Sequence, residues 1–212
     1  MGDIGQITLT VATGVSVLAF LPVLTQFVNL SPGLWTSLFR TAACIRMEDS
    51  KKVQHSRDIV FCACLPALVT EVWAYGLYSR EWMEMLHEPF RLLATAGAVL
   101  GYMALRAAAG HAMPRKRYST KVCDAWRGCP KNFWILLTSM LFMASAALCV
   151  SGAGPALSKT IMYCMTGLLY ALFLIRRFQI FACDSNYLTA ILYLCALEIL
   201  PTGLLLATAV SF

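Results

Sequence analysis

The chain has 212 residues, of which 59% are apolar and only 13% charged, with a mean hydropathy of +0.67. A soluble domain carries about 25% charged residues, so a single core under a polar coat cannot absorb this excess, and lipid is its natural solvent. The formal charge of +6 sits in short connectors between apolar blocks, which excludes nucleic acid as a partner and points to topology and lipid headgroups.

A membrane span needs about 20 mostly apolar residues. In chain order the apolar blocks predict a single transmembrane domain over 1–212, an all-α polytopic bundle. Its six helices fall at about 7–30, 59–78, 90–108, 132–151, 159–176 and 187–211. The blocks are continuous rather than alternating, as expected of helices and not of a β-barrel. The first block is uncharged, too long for the apolar region of a signal peptide, and closed by Ser31-Pro32-Gly33, a strong breaker. It is expected to be a retained helix.

The second block carries Pro66 and Glu71. The third lies between Arg91 and Arg106, whose stems can snorkel toward headgroups. Its Gly97 and Gly101 have the spacing that lets two helix backbones approach, and packing within the bundle is the expectation. The fourth ends at Ser151-Gly152-Ala153-Gly154-Pro155, the fifth runs from Lys159 to Arg176-Arg177, and the sixth holds Glu198 and Pro201.

Lysine and arginine set the orientation. Five lie within 31–58, seven within 106–131 and two at Arg176-Arg177, so fourteen of the seventeen share one side. Arg80, Arg91 and Lys159 take the other. That places both termini outside (N-out, C-out). Trp73, Tyr75, Tyr78 and Trp82 are expected at the outer interface, and Trp35 and Phe39 in a short interfacial helix on the inner face.

Glu71 and Glu198 are the sharpest features. Each lies about 17 Å deep along its helix, near mid-bilayer. With no lysine or arginine expected at that depth, each must be protonated, paired, or exposed to a wet cavity. Equal depth would let the two share a site if their helices are neighbours. Protonated acids there would suit a proton-coupled carrier; the alternative is a hydrogen-bonded acid that fixes helix packing. Pro201 removes the N–H that would bond the Leu197 carbonyl, predicting a kink beside Glu198. Arg115, Lys116 and Arg117, with Arg176 and Arg177, are expected as lipid-headgroup contacts or topology determinants. Asp58 and Asp184 sit beside basic residues, where a salt bridge is expected. His55, His87 and His111 share no ligand spacing, and the cysteines lie mostly in apolar runs, so no metal and no cofactor is expected.

The stretch Leu174-Ile175-Arg176-Arg177, followed by Leu192-Tyr193-Leu194-Cys195-Ala196-Leu197-Glu198-Ile199-Leu200-Pro201, resembles the closing signature of a bacterial membrane family catalogued as domain of unknown function 4271. The resemblance implies a bacterial inner membrane and ranks Glu198 and Pro201 first among the candidate sites; it implies no activity. The expected function is a non-enzymatic inner-membrane subunit that binds other membrane proteins in an envelope-biogenesis or secretion assembly. The alternative is a proton-coupled small-solute transporter using Glu198 and Glu71.

Overall fold

The computed structural model describes residues 3–78, 83, 85–111, 120–152, 154–182, 191–192 and 194–203. Every element among them is helical. In order they are α1 (Asp3–Phe20), a 3-10 turn (Leu21–Val23), α2 (Leu24–Phe39), α3 (Thr41–Asp49), α4 (Lys51–Ala74), α5 (Glu88–His111), α6 (Thr120–Ser151), α7 (Pro155–Ala182) and a π-helical turn (Cys195–Ile199). Among the described residues, three helical stretches are long and apolar enough to cross a membrane: Ile7–Phe39, Ala125–Ser151 and Pro155–Ile180. Helices α4 and α5, 24 residues each, carry charges within them.

The bundle is organised around α4 and α6. Helix α4 packs against α1, α5 and α6, while α6 also meets α3 and α7. One apolar cluster joins Leu68 of α4, Phe133, Leu137 and Leu141 of α6, and Leu169 and Phe173 of α7. A second joins Leu30 and Leu34 of α2 to Val60 and Ala63 of α4 and Ile135 and Leu136 of α6. Helix α4 stops where Gly76 adopts φ +57° and the Leu77 amide reaches back to the Val72 carbonyl at 2.9 Å. That left-handed cap satisfies a carbonyl the helix end would otherwise strand.

The first span departs from the sequence-based boundary. Ser31-Pro32-Gly33 does not break it: α2 continues to Phe39, and the chain turns at Arg40, which is extended (φ −128°, ψ 119°). Packing overrides the local signal. Leu30 and Leu34, on either side of Pro32, are both buried, and Met47 of α3 lies against Gly33. Trp35 and Phe39 therefore end this long helix instead of forming a separate interfacial one. Helices α6 and α7 overrun their expected bounds too, α6 beginning at Thr120 and α7 reaching Ala182, whereas α4 stops at Ala74, short of the expected 78. Of the span expected at 187–211, the described part is 191–192 and 194–203, and Asp184 and Trp82 also lie outside the described residues.

Among the described residues, the expected packing of Gly97 and Gly101 inside the bundle is not observed: both lie on an exposed face of α5, and a Cβ added at either would meet none of those residues within 4 Å.

A buried arginine–glutamate–arginine cluster between two cavities

The π-turn presents Glu198 to the interior, where its side chain is 1% exposed. Pro201, one residue beyond the turn's Leu200 cap, follows three residues after Glu198 and cannot donate to the helix ladder. The wider π-turn precedes it, with the Leu200 amide bonded to the Cys195 carbonyl. The expected irregularity beside Glu198 is thus a change of helical pitch.

Two arginines grip the carboxylate. Arg106 of α5 pairs with one oxygen and Arg177 of α7 with the other, and both guanidinium-bearing side chains are at most 5% exposed. This corrects the expectation that no basic residue reaches the depth of Glu198. Helices α5 and α7 each continue five residues past their arginine, to His111 and Ala182. That extension turns what read as boundary residues into interior ones. Aromatic faces line the cluster: Arg177 lies 3.9 Å from the Trp126 ring centroid and Arg106 4.5 Å from that of Phe173. Such contacts stabilise desolvated cations.

Hydroxyls complete the clasp on the last helical segment. Thr202 donates to the Glu198 carbonyl at 2.8 Å, and Tyr170 donates to Thr202 Oγ1 at 2.7 Å. Tyr102 of α5 is 2.8 Å from the same Thr202 oxygen. The segment is therefore tied to both α5 and α7 by charge and by hydrogen bonds.

Arg176 is likewise no headgroup contact. It is 6% exposed. Its Nε and Nη2 donate to the Leu38 carbonyl at 2.9 and 2.7 Å, and its Nη1 donates to Gln179 at 2.7 Å. A cation placed on the last carbonyls of α2 satisfies groups the helix cannot pair itself. Arg115, Lys116 and Arg117 lie outside the described residues.

Glu71 takes different company. It is 7% exposed, faces the Ser145 hydroxyl of α6, and its second oxygen has no hydrogen-bond partner. The two acids thus do not share partners. A second buried pair went unread in the sequence: Glu48 of α3 with Arg57 of α4, side chains 6% and 4% exposed. Gly128 of α6 makes room for it, since a Cβ there would overlap the Glu48 carboxylate. Asp58 forms its expected salt bridge, to Lys131 at 2.7 Å.

Two cavities flank the cluster. One, about 320 Å³, is mostly apolar and lies toward the end of α4, with Leu77, Val99, Tyr102, Tyr163 and Tyr170 in its wall. The other, about 570 Å³, lies toward the start of α4, with Arg57, Arg127, Lys131 and Arg177 in its wall. Arg106 and Trp134 belong to both walls. They form the partition between the two.

No family model matches this sequence, and no curated protein or solved structure shows significant similarity to it.

Proposed function

We propose that this is a multi-pass inner-membrane protein of bacteria, with six spans and both termini outside, that carries a small solute between its two cavities. The observation that carries the reading is the partition. Arg106 and the partly buried Trp134, common to both walls, separate an apolar cavity at one end of α4 from a basic cavity at the other, with the Glu198–Arg177 pair buried beside Arg106. Alternating access to a central site needs this arrangement of two vestibules and a barrier.

The charge distribution supports the orientation. Arg91 and Lys159 sit beside Gly76 at the end of α4, whereas Arg57, Lys131 and Arg127 surround the basic cavity at its start. The richer end is cytoplasmic under the positive-inside rule. Proton coupling in this carrier falls to Glu71. Glu198 is held by two guanidiniums and so serves as a fixed charge, while Glu71 has an unpartnered oxygen. Leu68 and Val72, one turn before and one residue after Glu71, line the apolar cavity.

The test is electrical. Proteoliposomes on a solid-supported membrane should give transient currents on concentration jumps of small anions and organic acids. Glu198→Gln should abolish them, and Glu71→Gln should remove their dependence on pH. Absence of current across such a panel, with correctly inserted protein, contradicts the carrier reading.

A second reading is a non-enzymatic subunit of an envelope assembly. It is favoured by the outward GxxxG of α5, which fits close contact with another membrane helix. Stoichiometric co-purification of membrane proteins in mild detergent, lost in Gly97→Leu, would support it.

A further inference from the structure

We propose that the basic cavity binds a phosphate-bearing anion, supplied either as a lipid headgroup or as free phosphate. The proposal rests on the carrier reading only in assigning what the basic vestibule holds. It stands on charge that the protein leaves uncompensated. Of the residues in the cavity wall, Glu48 is the one described acid, and it is taken by Arg57. Lys131 is taken by Asp58, and a single Glu198 serves both Arg106 and Arg177. Among the described residues, the cluster therefore sets two guanidiniums against one carboxylate, with the Cys129 thiol hydrogen-bonded to Arg177, and the partly exposed Arg127 has no acid of its own in the cavity wall.

Arg106 is 6% exposed and lines the cavity, and among the described residues its Nε and Nη1, both sealed from solvent, have no hydrogen-bond partner. A desolvated cation with unused donors is costly until an anion meets it. Planar guanidinium forks match the oxygens of phosphate, and several arginines around one cavity fit a tetrahedral anion better than a single carboxylate.

The rest of the wall shows how a lipid would enter. Phe61 and Leu65 of α4 and Leu100, Met103 and Ala104 of α5 also line this cavity, on the same two helices that carry Arg57 and Arg106. Leu100 is 49% exposed on the bundle surface. An apolar cleft between two helices, ending on buried cations, suits a headgroup inside with acyl chains outside. Basic pockets between membrane helices take anionic headgroups in this way.

Trp126 and Trp134 both line the cavity, so tryptophan fluorescence of delipidated protein in a neutral detergent reports its occupancy. The titrants are inorganic phosphate, dihexanoyl phosphatidate and, as the net-neutral control, dihexanoyl phosphatidylcholine. The expected result is saturable quenching by phosphatidate. If phosphate competes only weakly, the source is lipid; if phosphate binds as tightly, the source is the free ion. Arg127→Gln should weaken binding about tenfold through loss of one charged contact. Arg106→Gln, which leaves a neutral Glu198–Arg177 pair to keep the fold, should weaken it further. No saturable response to either phosphate ligand, equal binding of phosphatidylcholine, or affinity unchanged in both variants overturns the proposal. Currents for other solutes without phosphate binding would leave the carrier reading intact while overturning this one.

Discussion

At the scale of single residues, the Glu198 carboxylate is the charge on which the others depend. Removing one partner of a buried ion pair strands the rest, a loss of about 3–5 kcal/mol. Glu198→Ala leaves two buried guanidiniums and should cost at least that much, measured by denaturant unfolding in mixed micelles. Arg106→Gln removes the surplus cation and should cost far less, about 1 kcal/mol or under. Equal losses in the two variants would refute the assignment of Arg106 as the excess charge. Cys44 offers an independent check on the neighbouring core. A hydrogen bond with Cys129, together with burial, holds its thiol far above the usual thiol range. It should therefore resist maleimide at pH 8 in the folded protein and react only after unfolding, as read by peptide mass spectrometry. The sequence made Glu198 conspicuous because an acid in an apolar run must be neutralised somehow. It did not reveal the arginines, because their distance from the membrane centre was judged from the edges of apolar runs, and α5 and α7 extend beyond those edges.

At the scale of elements, helix–helix contacts decide where local signals fail. Pro32 reads as a stop, yet the helix continues because Leu30 and Leu34 are both needed in the apolar cluster under α4. Proline within a membrane helix is tolerable where neighbours satisfy the freed groups. Gly97 and Gly101 read as a packing motif, and their spacing alone could not say which face of α5 meets the bundle. Gly128 shows the reverse case: it has no motif around it, but the Glu48–Arg57 pair occupies the space of its missing side chain. Gly128→Ala should therefore displace that pair from α6 and destabilise the protein by about 1–3 kcal/mol, the usual range for overpacking. A melting temperature unchanged from wild type would show that α3 and α4 do not close on α6 as described.

At the scale of the whole molecule, the helical class was legible from composition and from continuous apolar blocks, and three long apolar helices stand as their counterpart. What could not be read was adjacency, since hydropathy is a property of one segment and cavities arise between segments. The partition of Arg106 and Trp134 is assembled from α5 and α6, and the Glu198 that holds Arg106 comes from the π-turn, all separated by stretches of sequence that carry no sign of their meeting. In the proposed carrier this partition isolates two cavities that open to opposite sides of the membrane. Val99 and Met103 sit one turn apart on α5, the first in the apolar cavity and the second in the basic one. In a cysteine-free background, Val99→Cys and Met103→Cys should therefore differ in their reaction with an impermeant thiol reagent. Val99→Cys should label in right-side-out vesicles and Met103→Cys in inverted ones. Labelling of both cysteines from the same side would contradict the account.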